Sequence, residues 1–341
     1  MQIGELRLGV VGATGAVGAE MFRVLEERNF PYTSLCALAS HRSVGKIVTC
    51  KGKELVVEAV TPELFSELDI ALFSAGSEIT KQYRQAAKNA GCIIIDNSSA
   101  FRMETNVPLV IPEINGADIR DHQGLIAVPN CSAIVMLMAV YPISLVQPIR
   151  RIIVSTYQAV SGAGAKALEE LESQTKNLVL GNPFTPQVLP HQIAYNLFSH
   201  NTAINEFGYN GEEWKLIQES KKILHSHELS ITATCVRVPV QRAHSESINI
   251  EFKNSRPTIE QIHTALANFP GVKIVDDRVN NIFPMPLDAS GKDDILVGRI
   301  RNDVSNPLAI DLFVSGDQLR KGAALDAVQI AEYLLANGLI H

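Results

Sequence analysis

Apolar and polar positions follow two periods along the first 130 residues. Short apolar runs at Leu6–Val11, Ser34–Ala39, Asp69–Ser74, Cys92–Asp96, Leu109–Glu113 and Leu125–Val128 read as buried strands. Between them, Glu20–Arg28 and Ile79–Ala90 carry the spacing of amphipathic helices, the second stopped by Gly91. Strands that alternate with helices predict a doubly wound parallel sheet. After about residue 150 the texture changes. Arg150–Gln158 alternates as a half-buried strand does, and Ile231–Val238, Ser247–Phe252, Leu296–Arg301 and Leu308–Val314 are further strands. The last two are joined by the turn-forming run Asn302–Pro307, so an α+β region with a mainly antiparallel sheet is expected. Lys166–Asn177, Gly211 to about Leu224 and Thr258–Asn268 read as helices on one side of that sheet. The connection from Leu180 to about Asn210 reads as irregular with a short helical piece. Asp317–Leu335 reads as a long amphipathic helix that returns to the first domain.

The stretch Ala127–Ala133 joins the two halves. Pro129 and Asn130 break the preceding strand, and an apolar run from Ala133 to Val140 continues as a helix, which puts Cys131 in its first turn. Unpaired backbone N–H groups and the positive end of the helix dipole stabilise a thiolate there. The same donors can hold an oxyanion on a carbonyl attacked by the sulfur. A free cysteine also serves as a small buried hydrophobe, and this stretch alone leaves both readings open.

Several other positions carry chemistry. Gly12-Ala-Thr-Gly15-Ala-Val-Gly18 follows the first strand and opens a helix, the context of a dinucleotide-binding turn, although its spacing also suits a tight turn without a ligand. The second strand ends in Ser40-His41-Arg42-Ser43, with no acid for a ribose hydroxyl. Arg42 and the two serines suit a 2′-phosphate, so NADP is expected unless Arg42 is a solvated loop charge. Asn97–Arg102 lies just past a buried strand, where open α/β sheets bind ligands. Arg102 is there either an anion clamp or a surface arginine. Ala159–Gly164, with Ser161 and Gly162, is another glycine turn before a helix. Glu212 and Lys215 share a helix face, as a solvated ion pair does. Arg237 interrupts an apolar strand, which is costly without an anion, and seven residues on His244 can titrate near neutrality. His191 and His200 have no obvious partners and read as structural or surface residues.

Composition narrows the classes. Thirty Lys and Arg against thirty-six Asp and Glu give a net charge of −6 with no basic block, which argues against nucleic acid. The five cysteines are scattered, with no C-x-x-C pair, so neither a disulfide framework nor a metal site is expected. Cys36, Cys50, Cys92 and Cys235 read as packing residues. Met1–Glu5 leads into the first strand without a signal-peptide layout, and no apolar run reaches the roughly 18–20 residues of a membrane span. A reduced, cytoplasmic enzyme fits.

A dinucleotide site, a helix-N-terminal cysteine, a histidine and anion-binding arginines suit a thiolate that forms a thioester during a hydride transfer. The motifs Gly12–Gly18, Asp96–Arg102, Pro129–Ser132, Tyr157–Gly162, Glu212–Lys215, Arg237–His244 and Gly316–Gly322 occur in this order. On them the chain resembles the bacterial aspartate-semialdehyde dehydrogenases over nearly its whole length. The resemblance implies a Rossmann-type NADP domain, 1–130 plus 316–341, and a catalytic and dimerisation domain, 131–315. It implies a homodimer that reduces aspartyl-4-phosphate to aspartate 4-semialdehyde in Lys, Thr and Met synthesis. It further implies Cys131 as nucleophile, His244 as acid/base and Gln158 positioning the acyl group. Arg237 would clamp the substrate carboxylate and Glu212 the amino group, with Arg102, Lys215 and Asn97 at the phosphate. Gly12, Thr14, Gly15, Ala16, Val17, Gly18, Ser40, Arg42, Ser43, Ser161 and Gly162 would meet the cofactor. Gln318 stands where relatives commonly have Asn beside the nicotinamide. The alternatives are an N-acetyl-glutamyl-phosphate reductase, against which Glu212 and Arg237 speak, and a non-enzymatic relative, which need not keep both Cys131 and His244.

Overall fold

The structure, a computed structural model, describes residues 6–340, so the expectation for Met1–Glu5 falls outside it. The chain forms two units, Met1–Asn130 with Ala323–His341, and Cys131–Gly322.

The first unit is built on a six-stranded sheet in the order β5-β2-β1-β6-β7-β8. Its strands are β1 (Arg7–Val11), β2 (Ser34–Ala39), β5 (Glu58–Ala59), β6 (Ile70–Phe73), β7 (Ile93–Asp96) and β8 (Leu125–Ala127), with a separate hairpin of β3 (Ile47–Cys50) and β4 (Lys53–Val56). All pairings in the six-stranded sheet are parallel. The chain moves from β1 outward to β2 and later to β6 on the other side, so the strand order reverses beside β1. That is where such sheets take ligands. α1 (Ala16–Glu27), α2 (Ser77–Ala90) and α9 (Leu325–Ala336) cover the sheet. Gly91 ends α2 in the left-handed conformation at φ 75°.

The second unit holds a seven-stranded sheet in the order β10-β11-β9-β12-β15-β14-β13. Its strands are β9 (Ile149–Gln158), β10 (Phe198–Ser199), β11 (Ser230–Arg237), β12 (His244–Phe252), β13 (Val272–Ile274), β14 (Ile295–Asn302) and β15 (Ala309–Gly316). The sheet is mixed: β11 with β9 and β13 with β14 are parallel, and the other pairings antiparallel. α4 (Cys131–Ser144), α6 (Gly211–Ile223), α7 (Ile259–Ala267) and the short α8 (Pro286–Ala289) pack on it, while α5 (Ala165–Leu180) follows the glycine turn. α4 is apolar all round and almost wholly buried, as a helix in the centre of a core must be.

Several elements differ from the sequence reading. Leu109 makes one bridge to Ala127, and Pro112 then starts a short helix, α3 (Pro112–Asn115), because proline suits the first helical position. The 180–210 connection contains β10 and no helix. Asp317–Leu335 is not one amphipathic helix. Asp317 Oδ1 accepts from the backbone of Leu319 and Arg320, a π-turn follows at Arg320–Ala324, and α9 is buried on most sides. The residues Gly316–Gly322, grouped by the sequence with the first domain, belong to the second unit. His244 opens β12 instead of preceding a strand at Ser247.

Candidate active site

In the first unit the candidate residues gather at the carboxyl edge of the sheet. Gly12 takes φ 93°, and a Cβ on Gly18 would stand 2.2 Å from the Gly12 carbonyl oxygen, so only glycine lets α1 start this close to β1. Gly15 precedes α1, with no side chain capping the helix and no acid in its first turn. Those open N–H groups suit a phosphate. Thr14 Oγ1 lies 3.2 Å from Ser43 Oγ, which joins the loops after β1 and β2. Ser40 and Arg42 are exposed on the second of these loops. Past β7, Asp96 accepts from Thr80 Oγ1 (2.9 Å), the Ser98 amide (2.9 Å) and Ser98 Oγ (2.7 Å), and so shapes the Asn97–Arg102 loop. Burial nonetheless pushes the Asp96 carboxyl up from its ordinary range. Asn97 Nδ2 donates to the Phe73 carbonyl (3.1 Å), while its Oδ1 is buried without a partner. The buried Arg102 donates from Nη2 to the Asn97 carbonyl (2.8 Å).

In the second unit Cys131 is the first residue of α4. Beside it, Ser132 Oγ accepts from Gln158 Nε2 at 2.7 Å, and the same nitrogen lies 3.3 Å from Glu212 Oε1. Gln158 is held there because β9 alternates from Ile152 on, with Ile152, Val154, Thr156 and Gln158 on its buried face. Glu212 is fixed by a capping box in which Asn210 accepts from the amides of Glu212 and Glu213, and Glu213 reaches back to the Asn210 amide. Glu213 Oε1 also accepts from the Cys235 amide (3.0 Å), which ties α6 to β11. Lys215 Nζ stands 3.5 Å from Glu212 Oε2.

Arg237 is 4 % exposed and donates to the Ala159 carbonyl (2.7 Å) and to His200 Nε2 (3.1 Å), with no carboxylate within ion-pair distance among the described residues. Burial lowers the pKa of its guanidinium, while the charges of Cys131 and Glu212 favour the cation. A buried guanidinium with Nε unpartnered is a waiting anion site. His244 is fully buried. Its Nδ1 accepts from the Ala159 amide at 3.0 Å, so the neutral ring carries its proton on Nε2. Burial first, then the Arg237 cation, push its pKa down to about 3. A Cβ on Gly162 would come within 3.1 Å of His244 Cε1 and 3.3 Å of Arg237 Nη1, so the glycine turn lies against both groups. Gln318 spends its carboxamide on Ser161 Oγ (2.6 Å) and the Ala243 amide (2.8 Å), and Ser161 Oγ donates to the Gln241 carbonyl (2.5 Å). Among the described residues no cluster could hold a metal ion, and no helix is long and apolar enough to cross a membrane.

Two family models match, the semialdehyde dehydrogenase NAD-binding domain over residues 7–122 and the semialdehyde dehydrogenase dimerisation domain over 141–321. The aspartate-semialdehyde dehydrogenase of Prochlorococcus marinus is 52 % identical over 330 residues, covering 97 % of this chain and 96 % of the relative. That of Bacillus subtilis is 46 % identical over 98 % of this chain and 99 % of its own length. The crystal structure of aspartate semialdehyde dehydrogenase II from Vibrio cholerae, complexed with ASA, superposes with a TM-score of 0.94 at 41 % identity, over 97 % of this chain and 98 % of that one. The chain belongs to the aspartate-semialdehyde dehydrogenase family.

Within this aspartate-semialdehyde dehydrogenase fold, the second unit brings together Gln158, Glu212, Lys215, Arg237, His244, Ser161, Gly162 and Gln318 through the contacts above. The first unit brings Thr14 to Ser43, and Asn97 to Arg102. His200, read from sequence as structural or surface, instead accepts from Arg237, and burial lowers its pKa. A guanidinium only donates, so His200 is neutral with its proton on Nδ1, toward Thr202 Oγ1 at 3.3 Å. No sequence signal separates it from His191, which packs edge-on against Phe198. The role of Asp96 was legible only as a polar residue ending a buried strand.

Proposed function

We propose that this chain is an NADP-dependent aspartate-semialdehyde dehydrogenase that reversibly converts L-aspartyl-4-phosphate, with NADPH, to L-aspartate 4-semialdehyde and phosphate. The observation that carries the reading is Arg237, a buried guanidinium with no carboxylate ion-paired to it among the described residues, in the same cluster as Gln158, Glu212 and His244. Arg237 binds the substrate α-carboxylate bidentately, and Glu212 meets the α-amino group. Arg102, Lys215 and Asn97 hold the phosphate.

Cys131 attacks the acyl carbon as the thiolate. The carbon–sulfur bond forms, the carbon–oxygen bond to phosphate breaks, and phosphate leaves. Backbone N–H groups at the start of α4 hold the oxyanion, and Gln158, anchored on Ser132 and Glu212, orients the acyl group. When bound, the dinucleotide supplies the hydride. His244 holds or moves the proton of the reacting oxygen through Nε2, and the hemithioacetal on Cys131 then collapses to aldehyde and thiolate. The cofactor is held by the turn Gly12, Thr14, Gly15, Ala16, Val17 and Gly18, with Ser40, Arg42 and Ser43 at the 2′-phosphate. Ser161, Gly162 and Gln318 meet its nicotinamide end. The bond from Thr14 to Ser43 and the uncapped start of α1 support that placement.

The first unit is thus the NADP-binding domain and the second the catalytic and dimerisation domain of a homodimer. The dimerisation-domain match and the exposed Ile153 and Tyr157, the latter tilted against Phe313, support the dimer. The pathway is that of Lys, Thr and Met, and a reducing cytoplasm suits a working thiol.

The test is absorbance at the nicotinamide band with aspartate 4-semialdehyde, NADP⁺ and phosphate. Phosphate-dependent NADPH formation is expected, and C131S is expected to abolish it while cofactor binding persists. Turnover of N-acetylglutamate semialdehyde instead would move the substrate, and undiminished turnover by C131S would remove the nucleophile.

A further inference from the structure

Glu246 is the one fully buried carboxyl of the second unit that the reaction above does not use and that has neither oxygen hydrogen-bonded among the described residues. Strand register gives its surroundings. Thr156 on β9 stands directly opposite Glu246 on β12, and Cys235 on β11 stands opposite Thr156. The three form one row, each fully buried. Two residues along the same strands lie Arg237, Gln158 and His244, on the same face because side chains alternate with period two. A thiol, a hydroxyl and a carboxyl therefore lie directly next to the reactive row.

The charged and titratable groups that face Glu246 are few. Its own strand gives His244, and β11 gives Cys235 and Arg237. α6 gives Glu212 and Glu213, which act on Cys235 together with Glu246. β15 places Val314 opposite it, and α4 has no titratable residue between Cys131 and Tyr141. Two of these groups are acids, and a buried carboxylate without a hydrogen bond costs far more than its neutral form. Burial alone raises the Glu246 pKa well above the ordinary value. Thr156, buried and directly opposite Glu246 across the strand pair, offers the hydroxyl nearest to the carboxyl in register.

We propose that Glu246 is kept as the neutral carboxylic acid, a positioning residue for the reactive row, and that its ionisation sets the alkaline limit of substrate binding. Neutral, it leaves the Arg237 charge free for the substrate carboxylate. Ionised, it sets a negative charge one row from Arg237 and His244, against the row that receives the substrate carboxylate. The inference rests on the dehydrogenase reading for its kinetic consequence, and the protonation itself does not depend on it.

The experiment pairs infrared spectroscopy with kinetics on the full-length protein. At neutral pH the wild type is expected to show the carbonyl stretch of a protonated carboxyl, moved by carboxyl-labelled glutamate and therefore distinct from Asp96, and missing in E246Q. With aspartate 4-semialdehyde, NADP⁺ and phosphate, the KM of the wild type is expected to rise at alkaline pH while kcat changes less. In E246Q, whose side chain mimics the neutral acid, that rise is expected to move up by about one pH unit or more. No glutamate band in the wild type, or an unmoved KM limb in E246Q, overturns the proposal. Should E246Q not fold, labelled wild type titrated with alkali decides it: the band and the low KM must be lost together. Absence of wild-type turnover would sink the dehydrogenase reading, and the band would still decide the state of Glu246.

Discussion

Replacing Glu246 by Gln makes the proton count visible as stability. In the unfolded chain this carboxyl titrates near its ordinary 4.5, and burial holds its folded value well above that. Above pH 4.5 the native state therefore binds one more proton than the unfolded chain. Native stability falls as pH rises, until the folded group ionises too. The slope is about 1.4 kcal/mol per pH unit through the interval between the unfolded and the folded value. E246Q removes this dependence. Its buried amide adds an offset of about 1–3 kcal/mol that does not change with pH, so the diagnostic is the slope and not the absolute value. At about 2–4 °C per kcal/mol for a unit of this size, the gap in Tm between E246Q and wild type is expected to widen in favour of E246Q by about 3–6 °C per pH unit above the ordinary carboxylate range, until the folded group ionises. Trp214 is the sole tryptophan and lies in the second unit, stacked on Phe207, so its fluorescence follows the unit that contains Glu246. Parallel melting curves for the two proteins across the range would refute the reasoning, because an ionised Glu246 in the native state leaves no such linkage.

Other substitutions probe the site directly. G162A pushes a methyl against His244 and Arg237, both tied to Ala159, so kcat/KM is expected to fall by about 100-fold or more with little change in Tm. Activity near wild type would mean the turn can yield. R237K keeps the charge and loses the bidentate fork, so KM for aspartate 4-semialdehyde should rise by about tenfold or more, and an unchanged KM would remove the carboxylate from Arg237. R42A is expected to weaken NADPH far more than NADH in fluorescence titrations. Equal weakening would take Arg42 away from the 2′-phosphate. Nitrogen NMR of His244 is expected to show a neutral ring protonated on Nε2 down to about pH 4, given a pKa near 3, and an imidazolium at neutral pH would contradict the backbone bond from Ala159.

The sequence by itself determined the local terms. Period-two and period-3.6 patterns gave ten of the thirteen strands of the two large sheets and the main helices, since burial of one face is written in consecutive residues, and missed the short β5, β10 and β13, which hold two or three residues each. The strand, glycine turn and helix at Gly12–Gly18 and the break before Cys131 were legible for the same reason: each is short-range chemistry of the backbone. Two local signals misled. The apolar run Leu109–Glu113 contains Pro112, which opens a helix instead of continuing a strand. Asp317 stops its own segment by accepting from two amides, so the apolar run behind it is a π-turn and a buried helix.

Tertiary structure alone decided which distant residues share a row. Arg237 next to Gln158, Glu246 next to Thr156, and His200 on Arg237 are set by the register of β9, β11 and β12 and by the position of β10 beside β11. Nothing in the spacing of residues 156, 200, 235 and 246 encodes that register. It is fixed by the packing of α4 and α6 on one sheet face, where a slip of one residue would turn Gln158 and His244 away from the site and expose the core. The same packing removes water from Glu246 and His244. Their protonation follows from burial, a property of the whole unit that no stretch of sequence carries.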